Sequence, residues 1–143
     1  MPAARLTELR EHARAVEEAY EFMLAYAAQG LRSHRESPVG MQLRAHLERS
    51  ILACRRLPDA LQQAVEELAL EPAEVYAGFM RVLKADADRA RAVMELVLAQ
   101  PDIGSQLIDN LNAVIHVRSL LTDLFVIDEV VDRFSAEAAV ETA

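Results

Sequence analysis

His46 is the side chain whose sequence surroundings come nearest to a chemical motif. It lies in the segment 45–50, AHLERS, one position away from the apolar stripe of a predicted helix. Its imidazole is therefore expected to be at least partly exposed. A basic residue, Arg49, follows three positions later and a small residue, Ser50, four positions later.

This pattern resembles the histidine phosphotransfer domains, four-helix bundles whose phospho-accepting histidine is followed by Lys and then by Gly or another small residue. The resemblance covers six residues and implies a signalling module with His46 as phospho-acceptor. The sequence departs from the family pattern at two points. The Gly after the basic residue is missing, and Glu48, which would repel a phosphoryl group, stands where an apolar residue is expected. Phosphotransfer through His46 is thus the alternative hypothesis.

Six arginines are concentrated in the segment 32–56, where only two glutamates oppose them, which is a local formal charge of +4. Guanidinium groups favour planar, bidentate contacts with carboxylates or phosphates. The sequence therefore predicts a surface that contacts an acidic protein partner. Two alternatives stay open: a solvated outer face whose arginines pair with neighbouring acids, and a small-anion site at the start of the second helix. The six residues are Arg32, Arg35, Arg44, Arg49, Arg55 and Arg56.

The charge of the whole chain argues against nucleic acid as the partner. The net charge is −8, so the residues outside 32–56 carry −12. Phosphate affinity follows the local and overall positive field, so an acidic protein with one focused arginine patch is expected to be a poor general DNA binder. The sequence has no Trp and three dispersed Tyr, so a platform for stacking bases is not expected.

Catalytic and metal-binding signatures are absent from the sequence pattern. Helical di-iron sites need Glu-x-x-His pairs, and none occurs, while Glu17, Glu18 and Glu21 lie off the apolar stripe of their helix. One Cys and four scattered His do not match zinc spacing. Cys54 falls on an apolar helix face and is expected to be an inert core thiol. We therefore expect no cofactor, no metal and no enzymatic activity.

A polar stripe on the last predicted helix is the remaining candidate site. Asp109, Asn112, His116, Ser119 and Asp123 lie on its polar side. His116 is four residues after Asn112 and seven after Asp109, so these three can share one face. The sequence is consistent with a hydrated stripe, or with a small polar pocket if another helix covers it.

The elements that position these residues are predicted to be helices. In residues 6–29, apolar side chains recur at intervals of three and four, as in helices of a bundle. Gly30 follows as the expected stop. Ser37 and Pro38 are typical of an N-cap and a first helical residue. The apolar stripe of the first helix is Leu6, Leu9, Ala13, Val16, Tyr20, Met23 and Ala27.

The later helices are marked mainly by proline. Whether the fourth helix breaks near 86–88 is left open, and the last helix, the most apolar, is predicted to be central. The second helix is predicted over 38–56, and a short third helix begins at Pro58. The fourth runs from Pro72 to before Pro101, and the last covers 104–134. Together they predict an all-α bundle of five or six helices as one domain over 1–134, with long N-terminal and C-terminal helices packed with shorter ones and a flexible tail over 135–143.

Composition agrees with this architecture and bounds the function. A chain of 143 residues with 52% hydrophobic residues, four Gly and five Pro suits one helical domain. No apolar run is long enough to cross a bilayer, the start lacks the pattern of a signal peptide, and the single cysteine fits a reducing cytoplasm. We expect a cytoplasmic, non-enzymatic adaptor, assembly or regulatory factor. We also expect a homodimer, formed through the first helix or the broad face of the last.

Overall fold

Five α-helices and one short 3-10 turn make up the chain, and there is no strand in residues 4–142. The computed structural model describes the backbone of these residues and the side chains of residues 4–133. The helices are α1 (Ala4–Ala27), α2 (Pro38–Glu67), α3 (Ala73–Leu98), α4 (Ser105–Ala113) and α5 (His116–Thr142), and the turn is His34–Glu36. The predicted all-α class is confirmed. The predicted tail over 135–143 lies outside the described side chains and stays a prediction.

Four long helices pack side by side in the order α1, α2, α3, α5, and α4 packs on α1 and α3. One contiguous core runs between them, mostly of Leu, Val and Ala. Burying each large aliphatic side chain stabilises the fold by about 1.5–3 kcal/mol. α2 contributes more buried residues than any other helix over the described side chains, so α2 is central and the prediction of a central last helix is wrong. None of the described helices is long and apolar enough to cross a membrane.

The local signals at the first two helices are confirmed. α1 ends at Ala27, and Gly30 has a φ of 68°, a left-handed conformation that Gly adopts without steric cost. Ser37 caps α2: its Oγ accepts the Val39 N–H at 3.1 Å, and Pro38 is the first helical residue.

The prediction of separate helices on either side of Pro58 is wrong, because α2 continues to Glu67. A proline inside a helix removes one backbone hydrogen bond and costs about 3 kcal/mol. The buried stripe passes through Pro58 without a change of register, since Cys54, Leu57 and Leu61 are all buried in the same core. Burial of these side chains offsets the local cost of the proline.

The last predicted helix is divided in two, which corrects the prediction of one helix over 104–134. α4 ends at Ala113, Val114 is extended, and α5 begins at His116. The β-branched residues Val114, Ile115 and Val117 lower the helix propensity here. By contrast, α3 is continuous through 86–88, where ion pairs three and four residues apart support the helix.

The last residues of α1 with the connection after it, 26–34, are tied to the connection before α4 with the first residue of that helix, 102–105, and we call this unit the loop junction. Ser105 lies at its centre: its Oγ donates to the Tyr26 carbonyl at 2.7 Å and accepts the Leu31 N–H at 2.9 Å. The Tyr26 hydroxyl donates to the Ile103 carbonyl at 2.7 Å. His34 is 5% exposed, and its Nδ1 accepts the Ile103 N–H at 3.2 Å. In the connection 31–36, His34 is the one buried residue, and hydrogen bonds of Leu31 and His34 tie this exposed segment to the residues at the start of α4.

Candidate functional site

The outer face of α2 carries four of the six arginines, in two rows. With about 3.6 residues per turn, Arg44 and Arg55 fall on one edge of this face and Arg49 and Arg56 on the other. Arg55 Nη2 lies 2.9 Å from Glu95 Oε1, so the first edge borders α3. The α2 arginines are thus brought to one face, but they form two rows and not a single cluster.

Two large apolar side chains stand between the rows. Met41 is 65% exposed and Leu52 is 43% exposed, and at eleven residues apart they share one stripe of the helix. Glu48 is also exposed on this stripe. The outer face of α2 therefore carries a stripe of two exposed apolar side chains and one carboxylate, bordered by guanidinium groups, and we call this stripe the ridge. Counting charges along the sequence does not reveal this feature.

The acids of the protein neutralise little of this positive charge. Of the six predicted arginines, Arg55 alone forms an ion pair among the described side chains. Arg32 and Arg35 are exposed on the connection before α2. The expectation that outer arginines simply pair with neighbouring helices therefore holds for one residue of six.

The start of α2 is covered by the preceding turn. Ser37 Oγ already accepts the Val39 N–H. Gly40 is buried and lies so close to the backbone of His34 that an added Cβ would overlap it. The predicted small-anion site would have to form outside this covered end, with Arg32 and Arg35, and it stays a hypothesis.

The second edge of the α2 face borders α1 at His46. Its ring packs on Phe22 with the ring centroids 4.6 Å apart, and Arg49 Nη2 lies 3.1 Å from His46 Nδ1. Burial, together with the charge of Arg49, lowers the pKa of His46. The imidazole is therefore neutral at neutral pH and half-buried.

The contact with Arg49 also fixes the tautomer of His46. A guanidinium can only donate, so Nδ1 accepts and the ring proton is on Nε2. Attack on a phosphoryl group needs an unprotonated nitrogen, and the unprotonated nitrogen here is covered by Arg49. Phosphotransfer through His46 stays a prediction, and it requires this contact to open.

The other candidate residues do not form a site in the described part of the chain. Cys54 is buried, and burial raises the pKa of its thiol to about 12, so at neutral pH it is a protonated core thiol and a poor nucleophile. Among the side chains of residues 4–133, no group of three His, Cys, Asp or Glu could hold a metal ion.

The predicted polar stripe of the last helix is split by the break before α5. Asp109 and Asn112 lie on α4, and the Asn112 amide donates to a backbone carbonyl of α1 at 3.2 Å. His116 and Asp123 lie on α5. Asp109, Asn112 and His116, predicted to share one face of a single helix, therefore belong to two helices.

Asp123 instead faces Asp86 of α3, a pairing that the sequence pattern does not predict. Its Oδ2 is buried, and no N–H or hydroxyl of the described residues reaches it. Burial, followed by the adjoining Asp86 carboxylate, raises the pKa of Asp123 to about 7. Two carboxyl groups this close favour a shared proton. No sequence signal links positions 37 residues apart on separate helices.

The Asp86–Asp123 pair makes stability depend on pH. Because the pKa of Asp123 is raised on folding, its stabilising contribution is present below its unfolded pKa, near 4, and is lost as pH rises through about 7. We expect Asp123→Asn to be more stable than wild type at pH 8, with the difference shrinking or reversing at pH 5. Thermal unfolding at both pH values measures the difference.

The test depends on the difference in stability between wild type and Asp123→Asn, because other groups change the stability of both proteins with pH. Burial and the charges of Arg44 and Arg35 outweigh the charge of Asp102 and lower the pKa of His34. Protonation of His34 therefore lowers the free energy of unfolding as pH falls, and it does so equally in wild type and in Asp123→Asn. Asp109→Asn, an exposed carboxylate on α4, is the matched control. An Asp123→Asn curve parallel to that of wild type from pH 5 to pH 8 would contradict the shared proton.

No known protein family, no curated protein and no solved structure matches this chain.

Proposed function

We propose that this protein is a non-enzymatic protein-interaction module whose α2 outer face binds an acidic segment of a partner protein. The observation that carries the proposal is the exposed ridge of Met41 and Leu52 between two rows of arginines. Exposed apolar side chains rimmed by charge are typical of protein interaction sites.

The chemistry of this face defines the partner. Arginine forms bidentate pairs with carboxylates, and the rows border the ridge on both sides, so a matching partner carries Asp or Glu on either side of apolar anchors. Burying Met41 and Leu52 would contribute affinity, and Met adapts to varied apolar surfaces. The two rows of arginines would raise the association rate and orient the partner on the α2 face.

The remaining parts of the proposal follow from composition. A net charge of −8 for the whole chain disfavours nucleic acid as the partner of the α2 face. One cysteine in 143 residues agrees with a reducing compartment such as the cytoplasm. A role as adaptor, assembly factor or regulator would require only binding to the partner protein and no catalytic side chain.

The test begins with a pull-down from native lysate at low and moderate salt, followed by affinity measurement with the partner recovered at one-to-one stoichiometry. We expect Arg49→Glu/Arg56→Glu to weaken binding at least about tenfold, because both introduced carboxylates would face an acidic partner. Met41→Ser/Leu52→Ser should weaken it by a similar factor, through loss of apolar burial.

Arg81→Glu/Arg133→Glu is the matched control, since it makes the same change of charge at two exposed arginines outside α2. It should bind as wild type does. Equal affinity of the wild type and both α2 variants would overturn the proposal, as would equal weakening by the control. The four substitutions in α2 are at exposed positions, so helical content measured by circular dichroism should be unchanged.

A further inference from the structure

The side of the bundle where α1 meets α5 is open. A groove of about 210 Å³ lies between these helices, with Leu9 and Leu124 among its buried lining and Ala13 beside them. Phe125 borders the groove and is 55% exposed. An exposed aromatic side chain beside a groove with an apolar floor and a charged rim is typical of surfaces that bind another protein. This surface is separate from the α2 face.

The charges of α1 along this groove are arranged in a particular order. Arg10, Arg14, Glu17 and Glu21 are spaced four, three and four residues apart, so they form one stripe of the helix. Two cations are followed by two anions, and the sign changes between Arg14 and Glu17. Arg10, Arg14 and Glu17 line the groove directly.

Such a stripe is complementary to a second copy of itself running in the opposite direction. Pairing two copies of α1 antiparallel about the midpoint between Arg14 and Glu17 places Arg14 opposite the partner's Glu17 and Arg10 opposite the partner's Glu21. We infer that the protein forms a two-fold symmetric dimer in which the α1–α5 groove of each copy is closed by that of the other. This inference is independent of the proposed function of α2.

The contacts within one chain favour a second copy as the occupant. Arg14 and Glu17 are three residues apart, a spacing that permits an ion pair. The structure nevertheless pairs neither with the other nor with any other described side chain, whereas Arg10 is held by Asp128 at 2.7 Å and by Asp132 at 3.4 Å. Both groups are therefore available to the partner's groups of opposite charge.

Phe125 supplies the apolar part of the interface. Asn112, just before α5, contacts Met23 near the end of α1, and Arg10 near the start of α1 contacts Asp128, so α1 and α5 run antiparallel. Phe125, one turn before Asp128, therefore lies near the level of Arg14. The two-fold axis passes close to that level. Each Phe125 is then placed to enter the groove of the other copy, and the closed groove buries both aromatic rings.

The test is a charge swap followed by measurement of mass in solution by sedimentation and light scattering. We expect wild type to be a dimer, and Arg14→Glu and Glu17→Arg each to weaken dimerisation at least about tenfold, because like charges then face each other. Mixing the two single variants should restore a dimer containing one copy of each. In that heterodimer every introduced charge faces an opposite one.

The mixture distinguishes this interface from any other. An ion pair within one helix cannot be restored by mixing two different chains, so only pairing across an antiparallel interface gives the heterodimer. Glu11→Arg, a reversal at an exposed position of α1 outside the stripe, is the control and should leave the dimer intact. A monomeric wild type at high micromolar concentration would overturn the inference, as would a dimer that both single variants retain. Single variants that dissociate without forming the heterodimer would also overturn it.

Discussion

Gly40→Ala is expected to lower the free energy of unfolding by about 3 kcal/mol, although alanine is the better helix former. Gly40 lies in the first turn of α2, and an added Cβ would overlap the backbone of His34. That contact involves main-chain atoms, which cannot rotate aside as the end of a side chain could. Either the turn before α2 or the start of α2 must move, and the loop junction is strained. Urea denaturation measures the loss.

Gly78→Ala is the matched control for this prediction. Gly78 lies inside α3, where the nearest atom to an added Cβ is a guanidinium nitrogen of Arg81 at 3.6 Å, an ordinary contact. We expect this variant to be more stable than wild type by about 0.5–1 kcal/mol, the usual gain for Gly to Ala in a helix. The same sign of change for both variants would contradict the proposed overlap at Gly40.

Ser105→Ala is expected to lower the free energy of unfolding by about 2–3 kcal/mol. Its hydroxyl donates to the Tyr26 carbonyl and accepts the Leu31 N–H inside the loop junction. Alanine would leave the Leu31 N–H without its partner, which costs about 1–3 kcal/mol for a polar group left unsatisfied. The Tyr26 carbonyl would lose one hydrogen bond but would still accept the Gln29 N–H at 3.1 Å. Tyr26→Phe removes one hydrogen bond, to the Ile103 carbonyl, and should cost about 1–2 kcal/mol.

Ser50→Ala provides the comparison. Ser50 is also buried, but its hydroxyl has no hydrogen-bond partner among the described residues. Its replacement should leave stability unchanged or raise it slightly, because a buried hydroxyl without a partner is unfavourable. If both serine variants lost the same stability in urea denaturation, the hydrogen bonds of the loop junction would not be its source.

Two structural facts about the arginine segment could not have been predicted from the sequence. Its positive charge is visible from counting residues, and helix periodicity alone divides the arginines of 38–56 into two rows, but which face of α2 is left uncovered and which arginine finds an ion-pair partner on α3 depend on the packing of α1 and α3. The exposure of Met41 follows from the same packing. The sequence places the six residues in one segment, and the structure decides which edge of the α2 face borders α3.

The amino-acid sequence by itself determined the features that depend on neighbours within one or two helical turns. Intervals of three and four between apolar residues predicted the helical class and the α1 stripe. Gly30 and Ser37 marked a helix end and a helix start, and the apolar surroundings of Cys54 predicted its burial. Each of these rests on backbone preferences and periodicity, which act locally.

Only the tertiary structure decided the features that depend on packing between distant segments. Helix α2 continues through Pro58 because its buried stripe is held by other helices. The break before α5 lets α4 pack on α1. The Asp86–Asp123 pair and the loop junction join residues far apart in sequence. Burial and long-range contact free energies of several kcal/mol outweigh local propensities, which amount to about 1 kcal/mol per residue or less apart from proline. Burial and long-range contacts depend on which helices meet, and a single sequence does not specify this by local pattern.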